Sequence, residues 1–319
     1  MNNDKGKFVI SLDFELHWGS AERWSANQKA HYFDTTRRII PLVLELFEKY
    51  DIHATWASVG FLFAKDKNQL LRFLPLEKPT YRNMQLSYYR LIENSEVGFD
   101  ENDDPYHYAS SLIELILKTP NQELASHTFS HYYCMENGQN EYQFNADLSA
   151  AQAIAKENFN VELKSLVFPR NQFNAEYISV AKQNGIKVVR TNPSVWFWKT
   201  DLKFNSIARA FDSVVPISST LSFEEEKCSK DEVLQLPASR FLRPFSEKEK
   251  VIQNLKLERV KSEMTCAAKN RRVFHLWWHP HNFGNSPLEN LFYLEKILKH
   301  YKKLNEEFDY CSSSMIEMY

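Results

Sequence analysis

The chain has 319 residues, with 39 Lys plus Arg against 41 Asp plus Glu and a formal net charge of −2. A charge this balanced excludes a protein built as a whole to grip nucleic acid, and 43% hydrophobic with 25% charged residues is globular composition, which excludes disorder. No run approaches the roughly 18 consecutive apolar residues of a membrane-spanning helix, and among only 7 glycines there is no Gly-rich phosphate loop.

A polar leader, Met1–Gly6, runs straight into Phe8-Val9-Ile10-Ser11-Leu12. A secretory leader needs a basic start and then about 7–15 apolar residues. The expectation is therefore a mature chain that starts at residue 1 and stays in the cytoplasm. The first strand is predicted over Lys7–Phe14, followed by a polar and aromatic segment, His17–Phe33. Asp34 is a candidate N-cap for a helix to about Tyr50, and the apolar run Ile52–Ser58 suits a second strand. Residues 60–95 read as mostly helical, anchored by Leu70, Leu71, Phe73 and Leu74. After the acidic stretch Asp100–Asp104, Asp104-Pro105 has the residue order that opens a helix, which would carry Leu112, Leu115 and Ile116.

Glu123–Ser126 is the next strand candidate and Glu141–Asn158 an amphipathic helix. Ser165–Phe168 reads as a strand, Ala175–Gln183 as a helix with Gly185 as its C-cap, and Ile186–Arg190 as another strand. Residues 191–245 are irregular, aromatic and rich in turn residues. Ser246 with Glu249 forms a capping-box pattern for a helix to about Ala268. A strand follows at Arg272–Trp278. Ser286, Pro287 and Glu289 open a helix ending near Lys303, and Phe308–Cys311 is a last short strand. The four cysteines, Cys134, Cys228, Cys266 and Cys311, are far apart and form no CxxC pair, which favours reduced thiols over disulfides or a zinc knot.

Alternating β and α elements without repeats or linkers predict one α/β domain over residues 1–319, with a less regular aromatic-rich insertion at about 191–245. Its sheet would be mainly parallel and closed or nearly closed. In such folds chemistry sits where strands end and βα loops begin. Four strand ends carry the candidates. Asp13 and Glu15 share one face of the first strand, about 7 Å apart, because alternate side chains point to opposite sides; the pair is either a base with a metal ligand or a solvated acidic tip. His127 and His131 stand at i and i+4, so one helical turn would bring both imidazoles to a single ion. Ten histidines in 319 residues give roughly 0.3 such pairs by chance, so spacing alone leaves the ligand reading open. His275 and His279 repeat the spacing, but His275 falls inside a strand and reads as a hydrogen-bonded core histidine. Arg170, in Phe168-Pro169-Arg170-Asn171, either holds a carboxylate ionised or forms a surface ion pair. His279 lies where Pro280 ends a strand, placed as a general acid beside Trp277 and Trp278; His281 is a second polar wall residue or simply loop.

In chain order these are Asp-x-Glu, His-x-x-x-His, an Arg loop and His-Pro. The ordered set, spanning Phe8 to about Phe283, resembles the polysaccharide deacetylase family, also called the NodB-homology or carbohydrate esterase 4 group. It is most similar to the branch with a first motif Asp-x-Asp or Asp-x-Glu and a last motif His-Pro. The resemblance implies a distorted (β/α)7 barrel holding one divalent metal ion, zinc first, with cobalt, nickel or manganese as alternatives. It further implies Glu15, His127 and His131 as metal ligands, Asp13 as general base, His279 as general acid and Arg170 as the residue keeping Asp13 ionised. The implied reaction is attack of a metal-bound water on an amide carbonyl, with His279 protonating the leaving amine. Two features depart from the pattern: the order Pro169-Arg170 is reversed, and the Asp/Trp loop has only Trp196, Trp198 and Asp201 as candidates.

The expected substrate is an N-acylated, first of all N-acetylated, sugar or glycan intermediate of surface-polysaccharide biosynthesis, with nucleotide- and lipid-linked forms both open. Trp18, Trp278 and His281 are the candidate substrate contacts, and the segments Trp18–Trp24 and Trp196–Trp198 could stack on sugar rings. A lipid-linked sugar would require peripheral membrane contact. Lys296, Lys299, Lys302 and Lys303 beside Leu291, Leu294, Ile297 and Leu298 suit either that contact or the solvated face of a packed helix. Two alternatives stand beside this reading: an amidohydrolase acting on a cyclic ureide or imide, and a catalytically silent sugar-binding relative.

Overall fold

The computed structural model describes residues 5–193 and 233–319, together with 195, 208, 212–213, 218 and 220–228. Trp196, Trp198 and Asp201 lie outside the described residues.

The first strand, β1 (Lys7–Phe14), is buried along its whole length, as a central parallel strand covered on both faces must be. It is flanked by β2 (Ala54–Ser58) and β8 (Val273–Trp278), and outward from β2 come β3 (Gln122–Ser126), β4 (Ser165–Val167) and β5 (Val188–Thr191). Every pairing is parallel, in the order β6-β5-β4-β3-β2-β1-β8-β7. The two edge strands, β6 (Leu234–Pro237) and β7 (Arg240–Phe241), are separated by only Ala238 and Ser239. One stretch, residues 234–241, thus pairs with β5 in its first half and with β8 in its second. The Ala238 amide still donates to Thr191 O (2.8 Å), whereas the Ser239 amide donates to His275 O (2.8 Å). The two edges meet there, giving a barrel of seven strands among the described residues, and β9 (Cys311–Ser313) pairs with the lower half of β1.

Alternation along β1 sorts the core into two. Phe8, Ile10, Leu12 and Phe14 point outward into the layer shared with Phe47, Trp56, Trp278 and Ile297. That layer is formed with the helices α1 (Ala30–Lys49), α4 (Ser110–Lys118), α7 (Gln253–Lys269) and α8 (Pro287–Phe308). Val9 points inward with Val188, Leu234 and Val273, and Met315 and Met318 close the bottom of that cluster. Above this apolar plug, inward positions become polar: Ser11, then Asp13, with His275 and Arg190 on neighbouring strands.

Several elements differ from the sequence expectation for local reasons. Residues 60–95 contain two short helices, α2 (Lys67–Phe73), capped by Asp66, and α3 (Tyr89–Glu93), joined by irregular chain. Asp104 opens no helix: its carboxylate accepts from the Gly98 amide (2.8 Å) and contacts His107 Nδ1 (2.6 Å), so it ties a loop, and α4 begins only at Ser110. α1 begins at Ala30, ahead of Asp34. The capping patterns at Ser246 and Ser286 form no side-chain cap, whereas Asn140 and Gln143 form a reciprocal one on α5 (Glu141–Phe159). The region expected to be an irregular insertion supplies β6 and β7, the strands that close the barrel. The helix α6 (Ala175–Gln183) matches its expected bounds, with Gly185 at φ +82° just past its end. α8 runs on to Phe308, and the last strand is Cys311–Ser313.

Candidate active site

β1 ends at Phe14, so Asp13 is the last inward residue of the strand and Glu15 the first residue beyond it. Leu16 then takes a left-handed conformation (φ 48°). Both carboxylates are buried, at 3% and 4% exposure. Gly19 makes room for Glu15: a Cβ at that position would lie 1.7 Å from Glu15 Oε2.

β3 ends at Ser126, immediately before His127. The segment 127–131 is not the helical turn expected from its spacing. Thr128 (φ 63°) and His131 (φ 59°) are left-handed and fold it into a tight loop. Asp147 on α5 holds that loop, accepting from the amides of Phe129 (2.7 Å) and Ser130 (3.3 Å) and from the hydroxyls of Ser130 and Tyr89. Burial pushes the Asp147 carboxyl up to about 6, against the pull of these donors.

The loop delivers both imidazoles to one oxygen. Glu15 Oε1 lies 3.0 Å from His127 Nε2 and 3.2 Å from His131 Nε2, and His279 Nε2 stands 3.5 Å from the same atom. His127 Nδ1 is 2.8 Å from Val167 O. A carbonyl only accepts, so Nδ1 carries the proton of neutral His127 and its Nε2 lone pair faces the carboxylate. Burial alone would raise the Glu15 carboxyl, but the surrounding histidines hold it well below the usual range, while burial lowers His131. A positive charge, either a proton shared across these short N–O contacts or a metal ion in its place, is what lets a carboxylate oxygen and two imidazole nitrogens stand this close. The ligand atoms of Glu15, His127 and His131 lie within 4.8 Å of one another. Two imidazole nitrogens and one carboxylate oxygen fit a divalent ion in a site with positions left open.

Asp13 has a different partner from the one expected. Arg190, at the end of β5, grips it through two bonds, Nη1–Oδ1 at 2.6 Å and Nη2–Oδ2 at 2.7 Å. The same guanidinium donates to Ser11 Oγ (3.0 Å) and Asn171 Oδ1 (3.2 Å) and lies 4.2 Å from the Trp277 ring centroid. Burial pushes the Asp13 carboxyl up, and the Arg190 charge and bonds, with His127, outweigh it and hold the group ionised. Arg170 does not touch Asp13. Arg170 and Asn171 are both left-handed (φ 53° and 52°), which turns Asn171 inward and sends Arg170 to the rim, where it pairs with Glu22 (2.6 Å). Arg190 was findable by the strand-end rule, since it closes a predicted strand.

His279 sits at the rim, one quarter exposed, with Nε2 3.8 Å from Asp13 Oδ2. His281 Nδ1 is 3.9 Å from Glu15 Oε2, and burial with the charge of His279 pushes its pKa down to about 4. His275 is a core histidine, as expected: Nε2 meets Ser11 Oγ (2.8 Å), Nδ1 meets Pro237 O (3.1 Å), and burial pushes it down to about 3.

A cavity of about 360 Å³ opens over this group, and its lining includes Asp13, Glu15, His131, His279 and His281. Among the described residues its aromatic lining includes Trp24, Tyr32, Phe241 and Trp277. Neither expected tryptophan is there. Trp278 points outward on β8 and stacks on Phe283 in the core, one residue out of phase with Trp277. Trp18 is buried against Phe61 and donates its indole N–H to His107 O (2.9 Å).

No described helix is long and apolar enough to cross a membrane. Comparison with known proteins places these features in context. The sequence model of the polysaccharide deacetylase family matches residues 29–189, a span holding His127 and His131 but not Asp13, Glu15 or His279. No curated protein matches the sequence. A Mycobacterium smegmatis structure described as a polysaccharide deacetylase has 13% identity and a TM-score of 0.59, covering 100% of this chain and 90% of its own. One from Pseudomonas aeruginosa PAO1, similarly described, has 11% identity and a TM-score of 0.55, covering 99% and 90%. A 4-alpha-glucanotransferase from Thermococcus litoralis reaches 0.53 at 12% identity, covering 98% of this chain and 40% of its own. Likeness at these identities is likeness of fold, and one fold hosts several chemistries.

Proposed function

Because the chain belongs to the polysaccharide deacetylase family, we propose that it is a divalent-metal-dependent hydrolase that removes an N-acetyl group from a sugar or glycan. The observation that supports this most is one carboxylate oxygen, Glu15 Oε1, within 3.0–3.5 Å of the Nε2 atoms of His127, His131 and His279. Beside it Asp13 is kept ionised by Arg190 and faces the same cavity.

Glu15, His127 and His131 would hold the ion, with zinc suited to two imidazoles and a carboxylate. When bound, it supplies a Lewis acid that polarises the amide carbonyl and acidifies a water. Asp13 takes the proton of the attacking water, and Arg190 keeps it ionised and aimed for that task. His279, partly exposed at the rim, gives its proton to the departing amine. Trp277, Phe241 and Trp24 offer apolar faces for a sugar ring.

The test is acetate release across N-acetyl sugars in free, nucleotide-linked and lipid-linked form, with and without a chelator. Acetate that stops on chelation and returns with Zn2+ is expected. Ring opening of a cyclic ureide or imide instead would move the enzyme to another substrate class. Stoichiometric ion with no turnover on any substrate would leave a silent binding protein.

A further inference from the structure

The second histidine ligand has an outer contact that no motif includes. His131 Nδ1 lies 3.1 Å from the Tyr133 hydroxyl, which lies 2.9 Å from the Tyr88 hydroxyl. Tyr88 in turn donates to Glu22 Oε2. Both tyrosines are fully buried. Glu22 comes from the loop between β1 and α1, and its other oxygen takes Arg170 Nη2 at 2.6 Å. The Arg170 guanidinium also lies 4.1 Å from the Tyr133 ring centroid. Arg170, released from Asp13, therefore braces this chain at both its carboxylate and its inner tyrosine.

The polarity of the chain follows from what each group can do. A carboxylate only accepts, so the Tyr88 proton goes to Glu22. The Tyr88 oxygen is then free to accept from Tyr133, and the Tyr133 oxygen to accept from His131 Nδ1–H. That leaves the His131 Nε2 lone pair aimed at Glu15 Oε1 and the ion position, the same tautomer that Val167 O sets in His127. Outer hydrogen bonds of this kind orient a ligating imidazole and raise its basicity.

We propose that Glu22, acting through Tyr88 and Tyr133 and anchored by Arg170, is a positioning residue that fixes the metal-binding tautomer of His131. The inference rests on the reading of Glu15, His127 and His131 as ion ligands, and its test separates the two. Cobalt is titrated into the full-length chain, metal-stripped, and into Tyr133→Phe and Glu22→Gln, following both affinity and the visible cobalt bands. The wild type binds one ion. Tyr133→Phe weakens binding about 10–100-fold, the usual loss for an outer partner. Glu22→Gln weakens it less: the amide oxygen can still accept from Tyr88, and only the amide turned with its NH2 toward Tyr88 reverses the chain. Both variants shift the cobalt bands, which a loss of general stability would not do. Wild-type affinity and unshifted bands in both variants would overturn the relay and leave the ion site standing. A wild type that binds no ion would overturn the site itself, and the relay with it. Should Tyr133→Phe fail to fold, Glu22→Gln, at the outer end of the chain, decides alone.

Discussion

The segments His127–His131 and His275–His279 have the same His-x-x-x-His spacing and feed the same cavity, yet they do opposite things with it. β3 ends before His127, and two left-handed residues, Thr128 and His131, fold the next five residues until both Nε2 atoms face Glu15 Oε1. β8 continues three residues past His275, so its pair is stretched along a strand, where four residues span roughly 13 Å. Both side chains point inward but at different depths. His275 lies in the lower layer with Ser11 and Arg190, and His279 reaches Glu15 and Asp13 at the top. Spacing alone does not make a ligand pair; where the strand stops decides whether two histidines converge or stack in layers.

The sharpest way to break that comparison is to remove each pair. His127→Ala combined with His131→Ala is expected to abolish stoichiometric ion binding, measured by elemental analysis after gel filtration. His275→Ala is expected to keep about one ion per chain. The reverse pattern would put the ion in the wrong segment. Next in size is His279→Ala, for which turnover falls about 10²–10⁴-fold with the ion retained. A negligible change would pass the acid role to His281, the neighbouring imidazole on the same loop.

The lower layer can be tested against the rim through the two arginines. Arg190 is 1% exposed and its removal would leave Asp13 buried without a counter-charge, so Arg190→Ala should cost about 3–5 kcal/mol in urea denaturation. Arg170 is about one third exposed and pairs with Glu22 at the cavity rim; Arg170→Ala should cost about 1 kcal/mol or less. Equal losses would mean that Arg190 is not the partner on which Asp13 depends.

The same layering explains which parts of the site could be read in the sequence. β1, β3, β5 and β8 all coincide with strands predicted from the sequence, and the rule that chemistry gathers at strand ends points to Asp13, Glu15, His127 and His279. Arg190 closes a predicted strand, but the motif order drew attention to Arg170 instead. The left-handed turn at Arg170 and Asn171, which sends one outward and the other inward, has no signature in side-chain type. Trp277 and Trp278 differ by one position, and only the register of β8 against β1, with Ser11 beside Trp277 and Leu12 beside Trp278, says which faces the cavity. The stretch 234–241 hid its two strands because each is very short and Pro237 interrupts the pattern. Its pairing comes from closing the barrel, a tertiary constraint that local propensity does not carry.

The last expected effect concerns protons and follows from the depth of His275. Burial and the charge of Arg190 push this imidazole down to about 3, whereas an unfolded chain takes up the same proton near 6.5. Between those values the unfolded state binds more protons than the folded one, so stability falls as pH drops through that window. From pH 7 to pH 5 this one group should remove about 2 kcal/mol. His17 and His281, both pushed down to about 4, act in the same direction. Urea denaturation at the two pH values should therefore show a clear loss in the wild type and a loss about 2 kcal/mol smaller in His275→Gln, which still offers a donor to the same layer. Equal losses in both would mean that His275 takes up a proton in the folded protein too. Ser11 and Arg190 would then face a charged imidazole, which the close Ser11–Arg190 contact beneath Asp13 does not accommodate.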